Sequence, residues 1–177
     1  PPLNLLLIFI ITFYRRRAYK FVYFLCGQSY NKNVSQNKPA YGRSIKTMSA
    51  VLDYLKESGV FYLSTMDGNQ PRVRPFGAVC EFEGKLYFIT AKNKNVYKQL
   101  LENPRVEISA MKGKDSWIRL DGEVKMDDRR EARAAMLEAV PVLKNMYNAD
   151  DGVMTVFYLD NIKATEYSFT SEPKELA

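Results

Sequence analysis

Two arginines at alternate positions have the spacing of a possible anion-binding pair. Arg72 and Arg74 are separated by Val73 and followed by Pro75. On a β-strand, residues at i and i+2 project from the same face, so both guanidinium groups would point the same way. If that face is buried, the two charges need anionic or carbonyl partners, because an unpaired buried charge is costly. On spacing alone, two solvated arginines on an edge strand are the simpler interpretation.

A second basic cluster lies where a predicted strand ends and a short helix begins. A helix N-terminus presents unpaired N–H groups and the positive end of the helix dipole. A hydroxyl and several lysines around it therefore suit an anion such as a phosphate. The glycine-rich signature of a P-loop is missing, and a solvated lysine-rich loop is the alternative interpretation. The candidate ligands in this cluster are Thr90, Lys92, Lys94, Asn95 and Lys98.

Other residues with possible chemistry are few. Trp117, the single tryptophan, lies near the start of a predicted strand, where it could cover a planar ligand, line a subunit contact or pack in the core. Cys80 is predicted to be a small buried hydrophobe, and Asp127 and Asp128 to cap a helix rather than form a catalytic pair. We name no catalytic side chain and expect no metal site, because the chain has no His and no CxxC pair.

Length, composition and charge limit the class of protein. The chain has 177 residues, of which 46% are hydrophobic and 26% charged, as in a folded globular domain. Its net charge of +6 is concentrated in residues 1–47, which hold 8 basic and no acidic residues. Residues 48–177 hold the other 18 basic residues and all 20 acidic residues, a net charge of −2. A nearly neutral body gives no reason to expect nucleic acid as a partner.

We expect residues 1–47 to lie outside the folded domain. Their apolar run, 3–13, is too short to span a bilayer and precedes three arginines, the reverse of the order in a secretory signal. The first methionine is Met48, so we favour translated upstream sequence, with the native start at Met48. A weak membrane-surface anchor is the alternative. For residues 48–177 we expect no membrane contact and a cytoplasmic location.

Residues 48–177 carry the pattern of an antiparallel β protein with helices between the strands. Turn signals such as Asp67-Gly68-Asn69 and Glu83-Gly84 join neighbouring strands, and few strands are separated by helices long enough for parallel pairing. We predict an α+β fold, a six- to seven-stranded antiparallel β-barrel with flanking helices. The predicted strands are 60–66, 72–82, 85–90, 105–111, 116–126, 153–159 and 164–169, and the predicted helices are 50–58, 96–102, about 128–140 and 141–147.

Local signals predict how several of these elements begin, bend or end. Ser49 is predicted to cap the first helix. The spacing of Asp128 and Glu131 is that of a capping box. Gly122 predicts a β-bulge in the long strand. The final segment, 171–177, is predicted to be frayed.

Five segments form a series whose order and spacing are more specific than any one of them. The segments are Phe61-Tyr62-Leu63-Ser64-Thr65, Arg72-Val73-Arg74-Pro75-Phe76-Gly77, Leu86-Tyr87-Phe88-Ile89-Thr90, Asn103-Pro104-Arg105-Val106 and Trp117-Ile118-Arg119-Leu120-Asp121-Gly122. Over about residues 49–170, the chain resembles the pyridoxamine 5'-phosphate oxidase-like family of FMN-binding split barrels. Within that family it looks most like the nitroimidazole-resistance (Nim-like) subgroup.

The resemblance implies a homodimer with FMN bound between the subunits. The residues that would lie along the isoalloxazine ring and the ribityl chain are Arg72, Val73, Arg74 and Pro75. The residues that would surround the phosphate are Thr90, Lys94, Asn95 and Lys98, with Lys92 close by. Trp117 would approach the flavin from the partner chain.

The resemblance also implies a function, an FMN-dependent oxidoreductase acting on a small molecule, with nitroaromatic reduction as a candidate reaction. Pyridoxal phosphate synthesis is not expected, because authentic oxidases of that type bind the substrate phosphate with a segment containing Arg and His, and this chain has no His. The alternative is a non-catalytic flavin- or haem-binding module for storage or sensing. The lack of His removes the commonest axial ligand of a haem iron.

Overall fold

The computed structural model describes residues 44–177, with side chains from Met48 onward. The predicted leader lies outside these residues, apart from its last four, and the domain boundary stays a prediction. The helices are α1 (Ser44–Ser58), α2 (Asn95–Glu102) and α3 (Arg130–Ala139), with a 3-10 helix at Pro141–Asn145. The strands are β1 (Phe61–Asp67), β2 (Gln70–Phe76), β3 (Val79–Phe82), β4 (Lys85–Ala91), β5 (Arg105–Lys112), β6 (Ser116–Asp127), β7 (Met154–Ser168) and β8 (Lys174–Glu175). Between residues 44 and 177, no helix combines the length and the apolar character that crossing a bilayer requires.

The eight strands form one antiparallel sheet in the order β2-β1-β5-β6-β7-β4-β3, with β8 beside β7. β2 and β3 occupy opposite edges of this sheet, yet only Gly77 and Ala78 separate them in the chain. Two residues span roughly 10 Å at most between strand ends, so the sheet must curl until its edges nearly meet. The result is a barrel left open between β2 and β3. The predicted α+β split barrel is confirmed, with a strand count of eight rather than six or seven.

Apolar side chains from alternate strand positions fill the inside of the barrel. Phe88 stacks on Phe157 with ring centroids 5.5 Å apart, and Phe61 meets Phe88 edge-on at 5.7 Å. Helices α1 and α2 cover this interior with one apolar face each. The helical residues in this core are Val51, Leu52, Tyr54, Leu55, Val96 and Leu100. The packing fixes α2 against the barrel.

A second apolar cluster lies on the other face of the sheet. There α3 and the 3-10 helix pack on β3, β4 and β7 through residues such as Met136 and Leu143. Cys80 belongs to this cluster and is 1% exposed, which confirms the prediction of a small buried hydrophobe. Burial raises the pKa of its thiol to about 11.

Tertiary pairing overrides the strand boundaries read from local signals. The predicted strand 72–82 is two strands, because the chain leaves one sheet edge at Phe76 and joins the other at Val79. The strands predicted at 153–159 and 164–169 are one strand, β7, which pairs with β6 along most of its length. The bulge predicted at Gly122 is confirmed, since the β6–β7 register shifts there. A Cβ at Gly122 would lie 3.0 Å from a backbone carbonyl of β7.

Three predictions about element ends were wrong. Helix α1 begins at Ser44, so Ser49 lies inside it rather than at its cap. Helix α3 has Arg129 at its N-cap with no side-chain capping bond, so the capping box is not formed. The segment 171–177 is paired rather than frayed: the Leu176 amide donates to the Ala164 carbonyl at 2.7 Å, and Leu176 packs against the barrel core.

Candidate functional site

Arg74 points into the barrel side of the sheet. In the β1–β2 register it lies opposite Leu63, a buried position, and it is half-buried. Its Nη1 donates to the Leu63 carbonyl at 3.2 Å and to Thr65 Oγ1 at 2.6 Å. Its Nη2 donates to Gln99 Oε1 at 2.8 Å. Burial lowers the pKa of Arg74, and the charge of Arg72 lowers it further.

All three acceptors around Arg74 are neutral, and the Asp67 carboxylate, which pairs with Arg72, acts on Arg74 only at longer range. A guanidinium has five N–H donors, and these three bonds leave the Nε–H and one Nη2–H. Those two hydrogens lie side by side on one edge. Such an edge matches the two oxygens of a carboxylate or phosphate. The arrangement therefore presents a held positive charge with a bidentate donor edge.

Gln99 connects the arginine strand to helix α2. It lies on the buried face of α2 beside Val96 and Leu100, and it is 5% exposed. Its Oε1 also accepts a hydrogen bond from Thr65 Oγ1 at 2.7 Å. Arg74, Thr65 and Gln99 thus close a ring of hydrogen bonds between β2, β1 and α2. The sequence interpretation missed Gln99 and Thr65, and the available signal was a polar residue between apolar positions of an amphipathic helix.

The start of α2 carries no side-chain cap. Lys94 is its N-cap residue, with extended backbone and no side-chain capping bond. The first N–H groups of a helix lack i→i−4 partners and carry the positive dipole end. Here the Tyr97 N–H donates to the Lys94 carbonyl at 3.1 Å, which leaves those of Asn95 and Val96. Thr90, at the preceding strand end, has a buried hydroxyl without a hydrogen-bond partner. Asn95 and Lys98 are exposed on this helix, and across residues 48–177 neither Lys94 nor Lys98 pairs with a carboxylate.

Two of the predicted basic ligands are paired within the chain. Arg72 Nε donates to Asp67 Oδ2 at 3.1 Å in an exposed pair. Lys92 Nζ donates to Asp128 Oδ2 at 3.2 Å, and Asp128 Oδ1 accepts a hydrogen bond from Thr155 at 3.1 Å. Asp128, predicted to cap a helix, is instead the partner of Lys92. Arg72 and Lys92 therefore pair directly with carboxylates, whereas Arg74 does not.

Val73, Pro75 and Trp117 lie on the outer face of the sheet. Val73 and Pro75 pair with outward-facing positions of β1, and Val73 is 64% exposed. Trp117 is half-buried and stacks on Tyr167 with ring centroids 5.6 Å apart and an interplanar angle of 13°. Phe169 lies 5.1 Å from the Trp117 ring. Within one chain, Arg74 and α2 therefore lie together on the barrel side of the sheet, whereas Val73, Pro75 and Trp117 lie on its outer face.

A buried polar network, also missed from sequence, fastens the start of α3 to the barrel. Asp127 is 7% exposed and accepts hydrogen bonds from Tyr87 Oη at 2.8 Å and from Arg129 Nη2 at 2.8 Å. Burial alone would raise the pKa of Asp127, but the bonds from Arg129 and Tyr87 outweigh it and lower the pKa to about 2. Burial and Asp127 raise the pKa of Tyr87 to about 12. Asp127 is thus charged at neutral pH and anchors the start of α3.

The fold and this geometry define a class, an open antiparallel barrel with an arginine on its edge strand held by helix α2. Residues 47–158 match the sequence profile described as pyridoxamine 5'-phosphate oxidase. The chain belongs to the pyridoxamine 5'-phosphate oxidase-like family of split barrels. The chain is 53% identical in sequence to a NimC/NimA family protein from Clostridium acetobutylicum whose crystal structure is known. The two structures match with a TM-score of 0.73, over 75% of this chain and 93% of that one. The chain therefore groups with NimC/NimA-like members.

More distant structures share the fold alone. A pyridoxamine 5'-phosphate oxidase-related, FMN binding protein from Nostoc punctiforme is 18% identical with a TM-score of 0.55, covering 71% of this chain and 85% of that one. A heme binding protein from Mycobacterium smegmatis is 18% identical with a TM-score of 0.56, covering 79% of this chain and 59% of that one. No curated protein matches the chain at a significant level.

Proposed function

We propose that this chain binds FMN and acts as an FMN-dependent oxidoreductase on a small molecule, with a nitroaromatic compound as a candidate substrate. One observation carries the proposal: Arg74 has no carboxylate among its hydrogen-bond partners and is tied to helix α2 by Gln99. Arg74 on β2 and the basic cluster at the start of α2, which are separate in the sequence, would therefore act as one anion-binding unit. A cytoplasmic location is part of the same proposal.

The residues present fit a phosphorylated ligand. Thr90 offers a buried hydroxyl without a partner, and α2 offers uncapped N–H groups. A phosphate would satisfy the orphaned donors and be stabilised by the dipole and by neighbouring lysines. The remaining proposed phosphate ligands are Lys94, Asn95 and Lys98, with Lys92 nearby and partly occupied by Asp128.

When bound, FMN supplies the redox chemistry through its isoalloxazine ring. The chain's own residues bind and orient it. The free edge of Arg74 would hold an electronegative edge of the ligand, and because an arginine stays protonated, its charge would stabilise negative charge that develops there. Arg72, Val73 and Pro75 would complete the contact along β2, the open edge of the barrel.

We also infer a homodimer with the ligand between subunits. The outer face of β1, β2, β5 and β6, together with Phe169 just after β7, exposes apolar and aromatic side chains that a folded monomer normally covers. Their exposed fractions are 47% for Tyr62, 64% for Val73, 49% for Met111 and 74% for Phe169. Trp117 stands on this face beside Met111. A second copy seated there would bury the face. For its Trp117 to approach the ligand, the ligand must extend past the β2 edge of the barrel onto this face.

Titration of the full chain with FMN, followed by quenching of flavin fluorescence, tests the proposal. Two charge-assisted hydrogen bonds of about 1.5 kcal/mol each give a roughly 100-fold loss of affinity for Arg74→Ala. Arg74→Lys keeps the charge but not the bidentate edge, so its affinity is expected to be intermediate. Arg130→Ala, which breaks an exposed pair with Asp150, is the control. An unchanged dissociation constant in folded Arg74→Ala contradicts the proposal.

A visible spectrum and a turnover assay separate the alternatives. Flavin bands together with nitro-compound reduction by a reduced nicotinamide support the oxidoreductase. Flavin bands without turnover of any donor and acceptor favour a storage or sensing module. A Soret band would favour haem, bound without a histidine ligand because the chain has none.

A further inference from the structure

We infer that Gln99 is a positioning residue, which holds the Arg74 guanidinium in the site without neutralising its charge. The inference deepens the proposed function and rests on it for the identity of the ligand. Neither sequence pattern nor family resemblance drew attention to this side chain. It is singled out by the two hydrogen bonds that its carboxamide oxygen accepts and by the neutrality of that acceptor.

The hydrogen bonds to Gln99 hold the Arg74 guanidinium in place. Its Oε1 receives both Arg74 Nη2 at 2.8 Å and Thr65 Oγ1 at 2.7 Å, and Thr65 Oγ1 in turn receives Arg74 Nη1 at 2.6 Å. Because Gln99 is 5% exposed and packed in the buried face of α2, its carboxamide has little freedom. A long arginine side chain loses substantial rotamer entropy when it is ordered. The ring of hydrogen bonds already orders the Arg74 side chain in the free protein. Ligand binding therefore does not cost that rotamer entropy again.

The identity of the acceptor matters as much as its position. Four of the six other arginines between residues 48 and 177 pair with carboxylates: Arg72, Arg119, Arg129 and Arg130. Arg133 donates only to backbone carbonyls. Arg74 meets only a carbonyl, a hydroxyl and a carboxamide. A glutamate at position 99 would have nearly the same shape and accept the same hydrogens, but it would place a negative charge against the guanidinium. Because the amide is neutral, it holds Arg74 without offsetting its positive charge, which can then attract an incoming anion.

Two substitutions of Gln99 separate positioning from simple structural support. Gln99→Ala removes the tether and leaves Arg74 charged, and we expect FMN affinity to fall by about threefold to tenfold. Gln99→Glu keeps the ring and compensates the charge, and we expect a further loss of at least about tenfold. Apo thermal stability should follow the opposite order, with Gln99→Glu melting above Gln99→Ala. Gln70→Glu makes the same change at an exposed position of β2 and should bind FMN like the wild type.

The combination with Arg74→Ala shows whether Gln99 acts through the arginine. If it does, Gln99→Ala, which adds no charge, will not change the FMN affinity of the Arg74→Ala protein. The inference is overturned if Gln99→Glu binds FMN as tightly as the wild type. It is also overturned if the FMN affinities of the two Gln99 variants follow the same order as their melting temperatures. The proposed function stands in both cases. A wild type that binds no FMN overturns the proposed function and the inference with it. The two failures are thus distinguished by the wild-type titration.

Discussion

Replacing Asp127 by Asn is expected to destabilise the protein strongly, because it removes a buried charge that organises the start of α3. The carboxylate accepts hydrogen bonds from Tyr87 Oη and from the backbone and side chain of Arg129. Arg129 also reaches Glu83 at 2.8 Å, across the β3–β4 turn. Asparagine keeps the shape of the side chain but offers one oxygen and no charge. Arg129 would then lose its main partner.

The magnitude follows from the pKa. Hydrogen bonding lowers the pKa of Asp127 from 3.8 to about 2, despite its burial. That difference corresponds to about 2.5 kcal/mol in favour of the charged form in the folded state. Because the folded pKa is the lower one, this stability is present above the unfolded pKa of 3.8 and is lost as pH falls towards 2. In Asp127→Asn we expect a loss of about 2–3 kcal/mol at neutral pH.

Urea unfolding of the apo protein, followed by Trp117 fluorescence at fixed protein concentration, measures this loss. Asp150→Asn is the matched control, because its pair with Arg130 is exposed on both sides and is expected to contribute under about 1 kcal/mol. The difference in free energy of unfolding between the wild type and Asp127→Asn should narrow as pH falls from 5 towards 2. Equal losses for the two variants, or a gap independent of pH, would refute the reasoning.

Three further predictions address the site and the barrel. Lys94→Met should weaken FMN binding by roughly tenfold and leave riboflavin binding unchanged, while Lys92→Met has a smaller effect because Asp128 already pairs with Lys92; titrations with both ligands check this. Cys80 should not react with a thiol reagent at pH 8 in the folded protein, because burial raises its pKa to about 11 and it is 1% exposed; labelling before and after denaturation is the comparison. Gly122→Ala should lower the melting temperature, because the added Cβ meets a backbone carbonyl at 3.0 Å.

Periodicity and turn chemistry predict most of this fold because they act locally. The turn around Gly68 and the bulge at Gly122 each follow from a backbone requirement that a few residues express. The break between β2 and β3 is different. It depends on which strands become sheet neighbours, and that is decided by contacts far apart in sequence. The same holds for Leu176, whose backbone pairs with Ala164.

The site shows the same division between local and distant information. Charge and helix position point to Arg74 and Lys94 without any structure. What separates Arg74 from Arg72 is the charge of their partners, Gln99 in one case and Asp67 in the other. Those partners are 25 and 5 residues away in sequence. Spacing alone therefore identifies candidate cations and leaves open which of them is uncompensated.

The central claim, that this barrel holds FMN between two copies of the chain, is tested most directly by purifying the full chain from its host cells. The measurement is the visible spectrum, combined with native mass and identification of the ligand released on denaturation. We predict flavin absorption bands, release of FMN equimolar with the chain, and the mass of a dimer. A colourless protein that remains monomeric and does not bind added FMN would contradict the account.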